Sequence, residues 1–286
     1  MPRGGRPVIP QAYVIYSDLD GCLLDRETYA FGAAQPALEL LKRRQIPLVL
    51  CSSKTQAEVE SYRTALGLAN PFIVENGGAV LIPLGHAPAR RPPAGGGGAY
   101  LRIELGVPYA RVSEALREIR GATGLGLFGF GDMGTQEVAL LTGLQPAAAR
   151  RAMTRHYDEP FVAVLSPDQL EALEAEVRRR GLRLTCGGRF YHLSGRHSKG
   201  LAADLLTRLY RSRSPEAITV GLGDAANDLA LLERVDIPVV IPKAPSAVDP
   251  ALAGRSWTVA PAPGPAGWGA AILDLLARER ATVRTP

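Results

Sequence analysis

Asp18 and Asp20 stand one residue apart in Asp18-Leu19-Asp20-Gly21, directly after the apolar run Ala12–Ser17. Such a run reads as a buried strand, and open α/β sheets bind their ligands beyond the C-terminal ends of strands. Carboxylates this close repel one another when buried, so a hard cation, Mg²⁺, is their natural partner. Alone, an Asp-x-Asp-Gly run also serves as a turn. A second acidic strand end supports the functional reading: Gly223-Asp224-Ala225-Ala226-Asn227-Asp228 follows another apolar run, Ile218–Gly221. Asp224 and Asp228 can complete a metal site there, although Asp at such a place also caps helices. Ser52 ends the compact run Ile46–Cys51, just before a helix expected from Thr55. A hydroxyl and free N–H groups at a helix start can hold a phosphate, or simply cap the helix. Lys199 opens a further helix, and a compact ammonium can balance both a phosphoryl oxygen and a nucleophilic carboxylate.

Positioning these groups takes a particular scaffold. Apolar runs and helical patterns alternate at both ends of the chain. Helices are expected near 36–44, 55–66, 199–213, 226–234 and 267–280, with strands at 46–51, 72–75, 79–82, 217–221 and 237–241. The class is α/β: a Rossmann-like, mainly parallel sheet with helices on both faces, carrying a smaller inserted α/β cap. Composition breaks at 88–98, where Pro92-Pro93 and four consecutive glycines read as a linker. Residues 1–90 and 193–286 are therefore assigned to the core and 91–192 to the cap.

With 286 residues, 46% hydrophobic and 21% charged, the chain is an ordinary globular protein of about two domains. No apolar run approaches the ~18 residues of a membrane span, and no signal-peptide pattern opens the sequence. Three dispersed cysteines, without a CxxC, suit a reducing cytoplasm. The net charge of +5 comes with dispersed arginines, which argues against nucleic acid as a partner. Twenty-nine arginines against four lysines point to a GC-rich genome and a thermophilic source. No subunit interface is legible.

The four motifs, in this order, resemble the haloacid dehalogenase superfamily. That resemblance implies Asp18 as nucleophile, forming an aspartyl-phosphate, and Asp20 as general acid and base. It makes Ser52 and Lys199 the phosphate-handling catalytic partners. Asp18, Asp20 (through its backbone carbonyl) and Asp224 become Mg²⁺ ligands, with Asp228 orienting the site from behind. The insertion between the second and third motifs resembles the branch with an α/β cap. There Glu75-Asn76-Gly77-Gly78 resembles a substrate-facing turn, and Ser53, Lys54 and Asn227 join Asn76, Gly77 and Gly78 in the expected substrate set. Cys22, where the family commonly has Thr or Val, is expected only to pack.

Within the insertion, the strings 129–133, 137–139, 141–144, 157–160 and 187–193 are similar to the mannosyl-3-phosphoglycerate phosphatase family. The resemblance implies Mg²⁺-dependent hydrolysis of a small phosphorylated sugar–glycerate to mannosylglycerate, a compatible solute. Gln136, Gly188, Arg189 and His192 are the expected cap contacts to carboxylate and hydroxyls, Arg189 because a planar fork suits a carboxylate. The alternative is another sugar-phosphate phosphatase or a phosphomannomutase-like enzyme on the same scaffold. The linker 88–98 and Ser194-Gly195 are expected to hinge the cap.

Overall fold

The computed structural model describes residues 13–86, 99–187, 190–244 and 247–284. The chain begins with β1 (Tyr13–Ser17), α1 (Gln35–Arg43), β2 (Leu48–Cys51), α2 (Gln56–Leu66), β3 (Phe72–Val74), β4 (Ala79–Pro83) and β5 (Tyr100–Glu104). The insertion holds α3 (Tyr109–Thr123), β6 (Phe128–Gly129), α4 (Thr135–Thr142), α5 (Pro146–Ala152), β7 (Asp158–Val162), α6 (Pro167–Arg179), β8 (Arg183–Gly187) and β9 (Phe190–Ser194). The chain then returns through α7 (Lys199–Arg211), β10 (Ile218–Gly223), α8 (Leu229–Leu232), β11 (Ile237–Val240), β12 (Thr258–Val259) and α9 (Gly264–Arg284).

The core is one sheet in the order β12-β11-β10-β1-β2-β3-β4-β5. It is parallel from β12 to β3, and β4 and β5 close that edge antiparallel. β1 is buried along its whole length because helices cover both faces of the sheet. Ile15 packs on the face shared with Leu41 of α1 and Trp268 and Ile272 of α9, while Val14 and Tyr16 face Ala202, Ala203 and Leu206 of α7. The central position of β1, between β10 and β2, brings the first and fourth motifs to neighbouring strand ends.

The cap is a four-stranded antiparallel sheet, β6-β7-β9-β8. α3 and α6 pack on it through Val112, Leu116, Ile119, Leu173 and Val177 against Phe161 and Leu193. Phe130, Val138 and Ala149 form a second small cluster beneath α4 and α5.

Three features differ from the sequence expectation. β5, expected in the inserted domain, pairs with β4 over five residues and belongs to the core sheet. The stretch 88–98 falls outside the described residues, but it joins two strands of one sheet and so does not connect core to cap. The two crossings lie instead at 105–108 and 195–198, where the Cβ that Gly195 lacks would come 2.9 Å from a Val107 methyl. Finally, α4 and β12 carry no pattern long enough to read: α4 is an eight-residue helix hidden by flanking glycines, and β12 has two residues.

Candidate active site

Asp18 leaves β1 with its N–H donating to Leu222 O at 2.9 Å, which locks it beside the end of β10. Behind it, Trp268 Nε1 donates to Ser17 Oγ at 2.9 Å, and that hydroxyl donates to the Asp18 carbonyl at 2.7 Å. Lys199, fully buried at the start of α7, lies 2.6 Å from Asp18 Oδ1 and 2.6 Å from Asp228 Oδ1. The other Asp228 oxygen accepts the N–H groups of Asp224 at 3.0 Å and Ala225 at 3.1 Å. Both oxygens of Asp228 are thus taken by the protein itself.

Asp18, Asp224 and Asp228 are all buried and place one oxygen each within 4.8 Å of one another. Their shared charge exceeds what Lys199 neutralises, and Arg26, half-exposed, pairs with Asp224 from the solvent side. Burial, followed by the charges of Asp18 and Asp228, pushes Asp224 up to about 8. Burial and Asp18 likewise raise Asp228 to about 6, against the pull of Lys199. The same carboxylates hold Lys199 well above the usual range although burial opposes it. A surplus of hard oxygen donors in a dry setting fits Mg²⁺. Such an ion would be held by Asp18 and Asp224, because both oxygens of Asp228 are already engaged by Lys199 and by backbone N–H groups.

Asp20 pairs with a different lysine. Its Oδ2 lies 2.9 Å from Lys54 Nζ, and its Oδ1 is buried with no partner among the described residues. Burial raises its pKa and Lys54 pulls against that rise, so Asp20 holds a proton more readily than a free carboxyl. Ser52, fully buried, accepts the Lys54 N–H on Oγ at 3.2 Å. Thr55 caps α2 in a reciprocal box with Glu58, which fixes the turn 52–55 at the mouth of the site. Cys22 is buried in the core.

The turn after β3 does something the sequence did not reveal. Glu75 and Asn76 both have positive φ, at 47° and 56°, and the Glu75 carboxylate is fully buried. It accepts the backbone N–H groups of His156 (3.0 and 3.1 Å) and Tyr157 (2.8 Å), where the cap meets the core. Asn227 donates to Asn76 Oδ1 at 3.1 Å, and Asn76 donates to Asp158 Oδ2 at 3.5 Å. Asp158 in turn accepts from His192 Nδ1 at 2.9 Å, with Arg155 3.4 Å away. Burial opposes the Asp158 charge, yet His192 and Arg155 outweigh it and hold the carboxyl down at about 2.

This arrangement gives several expected substrate contacts a packing reason. The missing Cβ of Gly77, at φ +97°, would lie 2.2 Å from Ser198 O. That of Gly78 would meet the Tyr157 ring at 2.7 Å, and that of Gly106 would meet it at 2.8 Å. Asn76, Asn227 and His192 form one polar chain across the junction, and Ser53 O accepts from Arg155 Nη2 at 3.0 Å. Gln136 is exposed on the first turn of α4. Gly188 and Arg189 lie outside the described residues. The structure therefore gathers Asp18, Asp20, Ser52, Lys54, Lys199, Asp224 and Asp228 into one site, and ties His192 to Asp158. Glu75, Arg155 and Asp158 are the residues sequence reasoning missed as a unit. A buried acid in a Glu-Asn-Gly-Gly turn was their one local signal.

This fold and these strand-end carboxylates define a class, and comparison with known proteins gives it a name. The family pattern of haloacid dehalogenase-like hydrolases matches residues 15–86. A solved haloacid dehalogenase-like hydrolase from Bacteroides thetaiotaomicron superposes with a TM-score of 0.65, covering 93% of this chain and 100% of its own, at 16% identity. A glucosyl-3-phosphoglycerate/mannosyl-3-phosphoglycerate phosphatase from Methanococcoides burtonii is 40% identical over 93% of this chain and 98% of its own. A mannosyl-3-phosphoglycerate phosphatase from Pyrococcus furiosus is 36% identical over 80% of this chain and 90% of its own. The chain belongs to this phosphatase family of the haloacid dehalogenase-like hydrolases.

Proposed function

We propose that the protein is a Mg²⁺-dependent phosphatase that hydrolyses mannosyl-3-phosphoglycerate, with its glucosyl counterpart as a second substrate, through an aspartyl-phosphate. The observation that carries the chemistry is the division of labour between two carboxyls. Asp18 is paired with buried Lys199 at 2.6 Å, while Asp20 has a raised pKa and an oxygen without a partner among the described residues. Two carboxyls whose environments differ in this way suit a nucleophile and an acid.

Asp18 attacks phosphorus as the bond to the substrate alkoxide breaks, and Asp20 gives its proton to that leaving oxygen. Asp20, now ionised, takes a proton from water. The water oxygen bonds to phosphorus, the Asp18–phosphorus bond breaks, and inorganic phosphate departs. Lys199 and the Ser52 turn offset the phosphoryl charge and keep it in line. Bound by Asp18, Asp224 and the Asp20 carbonyl, Mg²⁺ supplies further charge neutralisation. Gln136, His192 and Arg189 remain the proposed cap contacts for sugar and carboxylate. The buried free thiols of Cys22 and Cys51 support a reducing cytoplasm, and the product would serve as a compatible solute.

Phosphate release from purified protein, with Mg²⁺, across mannosyl-3-phosphoglycerate, glucosyl-3-phosphoglycerate and common sugar phosphates tests the reading. The two glycerates are expected to lead in kcat/KM. A preference for simple hexose phosphates, or return of the phosphoryl group to sugar in a single turnover, would reject it.

A further inference from the structure

We propose that Lys54 is a positioning residue: it orients Asp20 for proton transfer to the leaving oxygen, and the cap clamps the turn that carries it. The role rests on the acid assignment above and goes beyond it. A lysine beside a phosphate-binding turn invites the reading that it binds phosphate. Its surroundings point elsewhere. Nζ lies 2.9 Å from Asp20 Oδ2 and 3.8 Å from Glu58 Oε1, and 5.0 and 5.7 Å from the ring centroids of Tyr29 and Tyr62. Only 8% of the residue is exposed. The ammonium is enclosed by two carboxylates and two aromatic faces, which hold a desolvated cation in place. By engaging Oδ2 it fixes the orientation of the carboxyl, whose Oδ1 has no partner among the described residues.

The residues on either side of Lys54 are both held by the cap. Ser53 O accepts from Arg155 Nη2 at 3.0 Å, and Thr55 Oγ1 donates to Arg151 O at 2.8 Å. Lys54 therefore stands between two residues that each bond to the inserted domain. Alignment of the acid depends on a docked cap, although Asp20 makes no bond to the described residues of the cap.

General acid catalysis matters most when the leaving group is a strongly basic alkoxide, and little for p-nitrophenolate, which departs without a proton. The test is kcat/KM, with Mg²⁺ present, over a graded series of simple phosphate esters from p-nitrophenyl to phenyl to an alkyl phosphate. Lys54→Met and Lys54→Gln both remove the cation, and thermal unfolding reports the fold of each separately. Either variant is expected to lose about 10²-fold more on the alkyl ester than on p-nitrophenyl phosphate, and Asp20→Asn should show the same gradient on top of a loss common to all esters, since Asp20 also activates water. Equal losses across the series would mean that Lys54 binds phosphate or supports the fold, and would overturn the proposal. An Asp20→Asn enzyme with no such graded loss would overturn it too, by removing the acid. Because the esters are generic, a wild-type enzyme inactive on mannosyl-3-phosphoglycerate but showing the graded loss would sink only the substrate assignment.

Discussion

Two clusters of buried charge lie on either side of the core–cap junction, and their balance is opposite. Around Asp18, three carboxylates share Lys199 and a half-exposed Arg26, and burial raises the pKa of Asp224 and Asp228. Around Glu75, two carboxylates are met by Arg155, His192 and backbone N–H groups, and Asp158 is held down at about 2. The first cluster is short of positive charge and gains most from a ligand. The second is satisfied internally and gains nothing from one. Burial of charge alone does not mark a functional site; burial left uncompensated does.

The largest effect expected is chemical. Asp18→Asn should lower turnover by roughly 10⁴-fold or more, while the metal-free protein keeps its melting temperature because repulsion is relieved. A steady-state assay beside calorimetry checks both halves. A large drop in stability would mean that the Asp18 cluster is as balanced as the other.

Next comes the Glu75 cluster. Glu75→Ala strips the acceptor from His156 and Tyr157 and leaves Arg155 short of a partner, at a cost of about 3 kcal/mol in denaturant unfolding. An unchanged unfolding midpoint would show that the junction is not built on that carboxylate.

Metal separates the clusters more finely. Chelation should abolish activity, and saturating Mg²⁺ at 100 times its dissociation constant should stabilise the fold by about 2.7 kcal/mol. Protons compete for Asp224, whose pKa is raised, so this gain should shrink as pH falls below about 8. A gain independent of pH from 6 to 9 would contradict the raised carboxyl.

Smallest is the acid limb of stability. The folded pKa of Asp158 is depressed, so its contribution is complete above the ordinary carboxyl value and lost as pH falls toward about 2. From pH 4 to 2 the loss should be roughly 2 kcal/mol, and should vanish in Asp158→Asn measured against wild type.

The proposed catalytic residues Asp18, Ser52 and Asp224 were legible because each sits at the end of an apolar run, and the run itself reports the strand. Asp18 after β1 and Asp224 after β10 needed only that β1 and β10 be neighbours. The junction was not legible in the same way. Its members lie at 75, 155, 158 and 192, and nothing in period or composition joins them. His192 reads as a free polar side chain until Asp158 is placed beside it. β5 was misplaced because the glycine run before it resembles a domain linker, while its pairing with β4 is long-range and leaves no local mark. Lys54 read as a substrate contact because its partner Asp20 lies 34 positions earlier, and sequence shows the type of a side chain before its neighbour.

The bond from Trp268 to Ser17, and through it to the Asp18 carbonyl, also sets a timetable. A ribosome delivers Asp18, the proposed nucleophile, well before the elements that hold it. Its neighbour strand β10, its counter-ion Lys199 and the indole behind it arrive some two hundred residues later. Until then the nascent chain carries a reactive carboxylate with no fixed direction and no pocket. The proposed site is born incomplete, and it closes only once Trp268 has emerged and can reach Ser17.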